Sequence, residues 1–322
     1  MDNITEVINQ DLVQLEQSID KLLTTKVTFI KEVVRHIVKS GGKRIRPILV
    51  ILSAKLCGTK QDQHISYAAI IEFIHTATLL HDDVVDNAKI RRGRFTANTI
   101  WGNEPSVLVG DFLFTKSFDL MIQIQNAEIL KVMAHATTSL AEGEIMELLR
   151  TSDINTTEKD YYEVIDNKTA VLLSAACEIG ALLGNVDADK RSALREFGHH
   201  LGMAFQLKDD LLDYVSTDST LGKNTGIDFK EGKVTLPLIH ALKFATAGER
   251  DTITAALEKR KTGKKDFQKV KGIIEKYGGL QYTSDVSKEH IDKAKGFLAL
   301  FPPSPHKDAL LELATYIITR ET

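Results

Sequence analysis

Apolar side chains recur along most of the chain at the spacing of 3.6 residues that is typical of an α-helix. The clearest segment, residues 65–85, is apolar on nearly all sides, as expected of a central helix. Strand-like alternation is hard to find, and breaks that contain glycine or proline separate the periodic segments. The pattern predicts helices at residues 4–23, 28–39, 47–57, 65–85, 105–124, 127–149, 159–183, 190–215, 236–245, 250–259, 267–276, 280–300 and 306–319.

None of the breaks is a long flexible linker, so we expect one all-α domain over residues 1–322 with a peripheral helical region after about residue 245. Proline is scarce, with 6 among 322 residues, which agrees with a helical chain. At 43% hydrophobic residues the chain can bury a large core. No apolar run reaches the ~18 residues of a membrane span. The polar N-terminus is unlike a signal peptide, so we predict a cytoplasmic protein.

The charge and cysteine content exclude two classes of function. A formal net charge of -3 argues against a broad nucleic-acid-binding surface. The only cysteines, Cys57 and Cys177, each lie in an apolar segment and form no metal or redox motif. Buried free thiols in a reducing compartment are therefore expected.

Two acidic motifs of the form Asp-Asp-x-x-Asp stand at the ends of apolar helical segments. Their members are Asp82, Asp83 and Asp86, and Asp209, Asp210 and Asp213. Carboxylates on an interior face need cations, and oxygen ligands without His or Cys pairs favour Mg²⁺. Because Mg²⁺ usually completes its shell with waters and substrate phosphates, the two clusters predict several Mg²⁺ ions around a di- or triphosphate. One such motif is common on solvated helix ends, but the second copy makes that alternative a poor explanation.

Short basic segments accompany the acidic motifs. GGKRIRP (41–47) places three bases at a helix entrance, where backbone N–H groups favour anions. RRG (91–93) is similar, and Lys168, Lys223 and Lys233 stand among Gly, Asn and Thr. Each segment alone has a solvated basic turn as its alternative. Together with the carboxylates they indicate a second diphosphate that binds without metal.

These motifs resemble those of the trans-polyprenyl diphosphate synthases, a family of head-to-tail prenyltransferases. The resemblance covers nearly the whole chain, and its landmarks keep a specific order: GGKRIRP, IEFIHTATLLHDDVVD, RRG, VLVGDFLF, KTA, FQLKDDLLDY and LGKNTGIDFKEGKVTLPL. The family implies an isoprenoid-synthase-type helical bundle around a deep central cavity and a homodimer. It also implies isopentenyl diphosphate and an allylic diphosphate, here farnesyl diphosphate, as substrates.

The resemblance assigns a role to each matching residue. Asp82, Asp83 and Asp86 would bind Mg²⁺ and the allylic diphosphate, and Asp209, Asp210 and Asp213 the remaining Mg²⁺ from the opposite wall, two to three ions in all. The allylic diphosphate would also be contacted by Arg91, Lys168 and Lys223.

Isopentenyl diphosphate would be held by Lys43, Arg46, His75 and Arg92. From the residues alone, an ordinary core histidine is the favoured interpretation of His75. Thr169 and Gln206 match positions that flank the reacting carbons, and Lys233 matches a lysine near the allylic group. By helical spacing Gln206 shares a face with the second aspartate motif.

Two positions depart from the family pattern. Lys208 precedes the second motif where an apolar residue is usual, so it either pairs with an acid or points to solvent. Ile227 stands where an acid is common, which leaves Asp228 as the only acid of the usual pair. A metal-binding role for this loop is correspondingly weaker.

Product length is expected to depend on the turn before the first motif. Ala77 and Thr78 are small, whereas short-chain synthases tend to place an aromatic residue at one of these positions. A ~20-residue helix spans ~30 Å, which suits a long product. The chain is similar to bacterial octaprenyl diphosphate synthases, which make the C40 side chain of ubiquinone-8. Heptaprenyl and nonaprenyl products are the alternatives, and Met133 is a candidate floor residue.

Three other functions remain as alternatives. A terpene cyclase would share the all-α cavity and one acidic motif, but it would not need Lys43, Arg46 and Arg92 or the second motif. The non-catalytic subunit of a two-component synthase should have lost acids, and both motifs are intact. A purely structural bundle leaves six inward-facing aspartates unexplained.

Overall fold

Helices make up nearly all of the secondary structure, and each predicted helical segment is present. A computed structural model describes residues 2–39, 41–60, 62–215, 226–258 and 263–320. Its helices are α1 (Asp2–Glu6), α2 (Asn9–Leu22), α3 (Thr28–Val38), α4 (Ile45–Leu56), α5 (Gln63–Val85), α6 (Ala97–Trp101), α7 (Asn103–Ile124), α8 (Ala127–Arg150), α9 (Glu158–Ile165), α10 (Val171–Gly184), α11 (Ala188–Val215), α12 (Ile227–Lys230), α13 (Leu236–Phe244), α14 (Ala247–Leu257), α15 (Lys264–Lys276), α16 (Gly279–Phe297) and α17 (Pro305–Thr319). A hairpin of β1 (Ile90–Arg91) and β2 (Arg94–Phe95), a π-helical turn (Asp166–Ala170) and a 3₁₀ turn (Leu298–Leu300) complete the order.

The chain divides into two compact units. The first comprises Met1–Thr137, Ala175–Arg195 and Leu300–Leu310. The second comprises Thr138–Ser174, Glu196–Ala299 and Leu311–Thr322. The first aspartate motif belongs to the first unit and the second motif to the second unit. The single domain with a peripheral region after about residue 245 stays a prediction.

In the first unit α5 is the central helix, and α2, α4 and α7 pack against it. Ile70, Ile71 and Ile74 have no exposed surface, and Phe73 is only 1% exposed. This confirms the expectation from the nearly all-round apolar pattern. Because burying one such side chain stabilises the fold by about 1.5–3 kcal/mol, the helix that ends in three aspartates is firmly anchored.

In the second unit an aromatic cluster packs behind the second motif. Tyr214, one residue after Asp213, stacks on Phe267 of α15 with ring centroids 5.8 Å apart. Phe229 of α12 packs on the same ring at 6.1 Å. Gly226 has φ +73, and a Cβ there would collide with the ring of Phe267. The short helix α12 therefore begins directly against this cluster.

Local irregularities are what the hydrophobic pattern missed. The predicted helix 4–23 is interrupted between α1 and α2 by a turn in which Ile8 N–H donates to the Thr5 carbonyl at 3.2 Å. The predicted helix 159–183 contains the π-helical turn, and the hairpin was not predicted at all. Strands of two residues are too short to show alternation, and a π-turn adds one residue without changing the apolar character.

Across the residues that the structure describes, no helix has both the length and the apolar character needed to cross a bilayer. The two cysteines are free thiols, with Cys177 buried and Cys57 half-buried. Burial raises the pKa of each thiol to about 12, so both stay protonated.

Asp11 of α2 links the N-terminal helix to the core of the first unit. Its carboxylate lies 2.8 Å from His64 Nε2 and 2.9 Å from Lys55 Nζ. Burial raises the pKa of Asp11, but the hydrogen bonds from His64 and Lys55 outweigh it and hold the pKa below the usual 3.8. The carboxylate therefore stabilises the fold above pH ~4, and this contribution is lost as the pH falls through the lowered pKa.

We expect Asp11→Asn to lower the free energy of unfolding by about 1–3 kcal/mol at neutral pH, because a buried charge-assisted network loses its anion. In acid below the pKa of Asp11 the two proteins should be equally stable. Urea unfolding at both pH values measures this. The control is Asp20→Asn on the same helix, whose exposed pair with Arg35 should contribute under ~1 kcal/mol. A loss that persisted in acid would contradict the electrostatic explanation.

Candidate active site

The first aspartate motif lies at the C-terminal end of α5, and its three carboxylates have different surroundings. Asp83 is buried, Asp82 is half-buried, and Asp86 is exposed and caps the helix. Asp82 and Asp86 stand one turn apart on one helix face, as predicted. Like charges at this spacing repel one another, so a cation between them would stabilise the helix end.

Asp83 is tied to the hairpin that follows α5. Arg91 Nε donates to Asp83 Oδ1 at 2.8 Å, and Asn98 Nδ2 donates to the Asp83 carbonyl at 2.9 Å. Burial raises the pKa of Asp83, and the charge of Arg91 opposes this. The ion pair thus fixes Arg91 beside the motif, where the resemblance expects it.

RRG (91–93) forms the tip of this hairpin. Arg92 and Gly93 have φ of 51° and 75°, which a two-residue type I′ turn requires. Gly42 lies directly under the guanidinium of Arg92, since a Cβ at Gly42 would be 2.6 Å from Arg92 Nη1. The hairpin tip therefore meets the GGKRIRP segment, two features far apart in sequence.

Within GGKRIRP, Arg44 and Arg46 have different tasks. Arg44 has φ 50° and forms ion pairs with Glu72 and, at 3.3 Å, with Glu16. These contacts anchor the start of α4. Arg46 instead donates from Nη1 to His75 Nε2 at 3.2 Å. Lys43 is half-buried in the same segment.

His75 is neutral in this setting. Its burial and the charges of Arg46, Arg92 and Arg91 hold the pKa well below its usual value. Because a guanidinium can only donate, Nε2 accepts and the proton is assigned to Nδ1. Several guanidinium groups with a neutral imidazole among them form an anion-binding arrangement. The structure thus brings Arg46, His75 and Arg92, three predicted ligands of isopentenyl diphosphate, close together.

The two product-length residues differ in exposure. Ala77 has no exposed surface, whereas Thr78 is half-buried and its hydroxyl donates to the His75 carbonyl at 2.9 Å. Thr78 lies one turn before Asp82 on the same face. The candidate floor residue Met133 of α8 is fully buried in the first unit.

The second motif lies near the end of α11, where Asp210 is 3% exposed. Tyr161 donates to Asp210 Oδ2 at 2.6 Å and Gln206 Nε2 donates to Oδ1 at 2.7 Å. Thr169 in turn donates to Gln206 Oε1 at 2.8 Å. Burial and the charge of Asp228 raise the pKa of Asp210 to about 8 despite these hydrogen bonds. The two hydrogen bonds hold the carboxyl group in place.

Asp228 belongs to the same acidic group. The backbone N–H groups of Ile227 and Asp228 donate to Asp213 at 3.0 and 3.1 Å. Burial raises the pKa of Asp228 to about 6, and the ammonium of Lys233, 3.7 Å away, opposes this. The absence of an acid at Ile227 therefore does not remove the loop from the site, because Ile227 binds Asp213 through its backbone.

Lys168 and Thr169 lie on the π-helical turn. Lys168 Nζ lies 2.9 Å from Glu144 and 2.5 Å from Glu147, both on α8. Close packing against α8 fixes this turn, since a Cβ at Gly143 would be only 2.7 Å from the backbone nitrogen of Lys168. A π-turn places one extra residue in the helix, and such turns are frequent at functional sites.

A cavity of about 620 Å³, including the space at its mouth, joins these groups within the second unit. Five predicted site residues line it: Lys168, Thr169, Gln206, Asp210 and Lys233. Glu147 and Tyr161, for which the sequence predicted no role, line it as well, and so does Asp228, the remaining acid of the usual pair. Of these three residues only Asp228, in the segment IDFKEGK (227–233), could have been found from the sequence. Lys223 lies outside the described residues.

Arg320 is a further residue that sequence reasoning missed. It is 7% exposed and donates to Asp209 Oδ1 at 2.7 Å and to the Phe205 carbonyl at 3.1 Å. Its guanidinium also stacks over the Phe205 ring at 4.1 Å. Nothing in the sequence links the C-terminal segment to the second motif. Lys208, the unusual residue of this motif, is half-buried.

The donor set fits a hard divalent cation. All of the candidate ligands in both motifs are carboxylates, which Mg²⁺ prefers. In the second unit burial raises the pKa of Asp210, Asp213 and Asp228, and a neighbouring carboxylate raises each further, so the charged form of each group is disfavoured. Cations bound there would remove this penalty.

The sequence profile of the polyprenyl synthetase family matches residues 27–274. The chain belongs to the polyprenyl synthetase family. This confirms the resemblance read from the motifs, together with the all-α isoprenoid-synthase fold and the prenyltransferase class.

Several members of the polyprenyl synthetase family are similar over their full length. The chain is 40% identical to the octaprenyl diphosphate synthase of Escherichia coli K12, over 100% of this chain and 99% of that protein. It is also 40% identical to an all-trans-nonaprenyl-diphosphate synthase, geranyl-diphosphate specific, of Rhodobacter capsulatus, over 99% and 97% of the two chains. A polyprenyl synthase of Caulobacter crescentus, crystallised with calcium and isoprenyl diphosphate, superposes with a TM-score of 0.95 at 41% identity, covering 100% and 98%.

Proposed function

We propose that this all-trans long-chain polyprenyl synthase is an octaprenyl diphosphate synthase. It would add isopentenyl diphosphate repeatedly to an allylic diphosphate, with farnesyl diphosphate as the starter. The small residues Ala77 and Thr78 and the full-length similarity to an octaprenyl diphosphate synthase support a C40 product. The similarity to a nonaprenyl synthase makes C45 the second candidate.

In this proposal the bases of the first unit bind isopentenyl diphosphate. Arg46 and Arg92 bind its phosphate oxygens, Lys43 adds a third cation, and the neutral His75 donates from Nδ1. Charge-assisted hydrogen bonds of this kind are roughly twice as strong as neutral ones. The diphosphate is thereby held without metal.

In the first unit Asp82, Asp83 and Asp86 would hold Mg²⁺ with the allylic diphosphate, and in the second unit Asp209, Asp210 and Asp213 would hold Mg²⁺, two to three ions in all. Mg²⁺, when bound, supplies positive charge for the leaving diphosphate. Arg91 would bind the allylic diphosphate beside the first motif. In the second unit Lys168 and Lys223 would bind diphosphate oxygens, and Lys233 lies near the acidic cluster. The allylic C–O bond then breaks, the isopentenyl double bond attacks C1 of the cation, and the C2 proton leaves to the released diphosphate. Thr169 and Gln206, which are joined by one hydrogen bond, would stabilise the cation.

One observation carries this proposal: the buried carboxyl group of Asp210, held by Tyr161 and Gln206, lines the same cavity as Lys168 and Lys233. Buried acid and base around one cavity suit a metal-bound diphosphate. The test is incubation with farnesyl and isopentenyl diphosphates and Mg²⁺, followed by mass determination of the dephosphorylated product. A C40 alcohol is expected, with none formed in EDTA. A C35 or C45 product would show a heptaprenyl or nonaprenyl diphosphate synthase instead. A cyclised hydrocarbon would contradict the proposed chain elongation.

The proposal also covers the use of the product, the oligomeric state and the cellular compartment. The C40 product would become the side chain of ubiquinone, and the enzyme would act as a homodimer in the cytoplasm. The two free thiols agree with a reducing compartment. Light scattering of the purified chain, giving twice the mass of 35.8 kDa, would support the dimer.

Arg46→Gln should raise the KM for isopentenyl diphosphate by about 10- to 100-fold, because a charge-assisted contact contributes about 1.5–3 kcal/mol. The KM for farnesyl diphosphate should stay within about twofold. Steady-state kinetics with each substrate varied in turn measures the difference. Arg94→Gln is the control, since Arg94 is exposed on β2 and no ligand is proposed for it. An equal rise in both KM values would contradict the assignment of Arg46.

A further inference from the structure

A cluster of imidazoles lies on α11 upstream of the second aspartate motif. Glu196, His199 and His200 each offer one ligand atom, and these atoms all lie within 4.8 Å of one another. The spacing i, i+3, i+4 places all three on one helix face. The three residues are half-buried and belong to the second unit. None of them belongs to the motifs assigned above.

Two residues from other elements complete the cluster. His290 of α16 places its Nδ1 2.9 Å from Nδ1 of His200. Asp166, the first residue of the π-helical turn, lies 3.0 Å from His199 Nε2. The opposite ring nitrogen of His199, Nδ1, is buried. A carboxylate that orients one ring nitrogen while the other binds metal is common in zinc proteins.

The side-chain separations can be compared with the ligand spacing of a zinc site. Two ligands bound to Zn²⁺ at 2.0–2.1 Å lie about 3.3 Å apart. His200 and His290 lie 2.9 Å apart, and the ligand atoms of Glu196, His199 and His200 lie within 4.8 Å of one another, so side-chain adjustments would bring all four to this spacing. Phe297 stacks on His200 with centroids 5.8 Å apart and restricts the orientation of its ring.

The charges in the cluster also suit a cation. His290 is half-buried and lies beside His200 and Lys293. Lys293 opposes a bound cation, whereas Glu196 and Asp166 favour it. Imidazole nitrogen with one carboxylate oxygen selects Zn²⁺ and related transition metals over Mg²⁺.

We propose that Glu196, His199, His200 and His290 form a binding site for a divalent transition-metal ion such as Zn²⁺. Asp166 orients the ring of His199. The site is separate from the carboxylates that bind Mg²⁺ and does not depend on the proposed function. His200 precedes Asp209 by nine residues on α11, about 13 Å along the helix. A bound ion would link α11, α16 and the π-helical turn that carries Lys168.

Titration of the full-length protein with Co²⁺, in the presence of excess Mg²⁺, tests this proposal. Co²⁺ in a tetrahedral nitrogen-containing site absorbs visible light strongly, whereas Co²⁺ in an octahedral oxygen site absorbs weakly. We expect one equivalent of the strong absorption, displaced by one equivalent of Zn²⁺. Weak absorption alone would place the ion on the aspartate motifs and overturn the proposal.

Variants assign the ligands. His200→Ala should abolish the strong absorption, and His290→Ala should weaken Zn²⁺ binding about 10- to 100-fold. His135→Ala, an exposed histidine of α8, is the control and should bind like the wild type. If His200→Ala does not fold, Glu196→Gln provides the same readout with little change in shape. Unchanged spectra in His200→Ala or Glu196→Gln would overturn the proposal.

Discussion

Asp210→Asn is expected to lower kcat for chain elongation by about 10²- to 10³-fold, the loss typical of removing one electrostatic contact to developing charge. Asn keeps the shape of the side chain but is a poor Mg²⁺ ligand, so the leaving diphosphate would lose neutralising charge. The hydroxyl of Tyr161 can rotate to accept from the new amide, and the amide of Gln206 can still donate to the remaining oxygen. The metal-free protein should therefore melt within a few degrees of the wild type.

Two measurements separate a catalytic effect from a structural one. Single-turnover rates with farnesyl diphosphate report the chemical step, and thermal melting with and without Mg²⁺ plus diphosphate reports ligand-linked stability. The wild type should gain stability from the ligands, and Asp210→Asn should gain much less. Asp251→Asn on the exposed side of α14 is the control and should match the wild type in both. A variant that is inactive but still stabilised by Mg²⁺ plus diphosphate would contradict metal binding by Asp210.

Thr78→Phe is expected to shift the product from C40 to C20 or shorter. Thr78 lies one turn before Asp82, so an aromatic ring there would stand where the growing tail leaves the diphosphate site. Since the condensation groups are untouched, the rate of the first addition should change by less than about tenfold. Separation of the dephosphorylated products by length measures the effect.

Two variants of the same turn sharpen this test. Thr78→Ala is the matched control and should leave the product at C40, with a small stability loss because the hydrogen bond to the His75 carbonyl is removed. Ala77→Phe places the same ring at a position with no exposed surface. Overpacking there should cost about 1–3 kcal/mol of stability. A C40 product from Thr78→Phe would contradict the role of this helix turn.

The helices and the type of chemistry at the site could be predicted from the sequence because both depend on the local spacing of side chains. The 3.6-residue pattern predicted α5 as a central helix, and its core residues are buried all round. The two aspartate motifs indicated hard cations because Asp residues recur one helical turn apart on apolar helices. Gln206 was placed with the second motif by the same spacing, and its hydrogen bond to Asp210 confirms that placement.

Residues that act through partners far away in sequence were missed. Arg320 pairs with Asp209 across more than a hundred residues, and neither sequence neighbourhood refers to the other. Glu144 and Glu147 look like ordinary solvated acids of α8 until Lys168 is placed between them. The hairpin tip and Gly42 meet only because Arg92 folds back onto the start of α4.

The sequence by itself determined the helical fold class, the family and the carboxylates, because these follow from side-chain type and regular spacing. Only the tertiary structure decided which of these groups are paired, buried or exposed. It separated Arg44, an anchor for α4, from Arg46, a partner of His75, although both stand in one short basic segment. It also separated Ala77 from Thr78 by burial, and it brought His290 to His200. Burial and charge pairing depend on chain segments that approach one another only after folding, and local spacing carries no record of that approach.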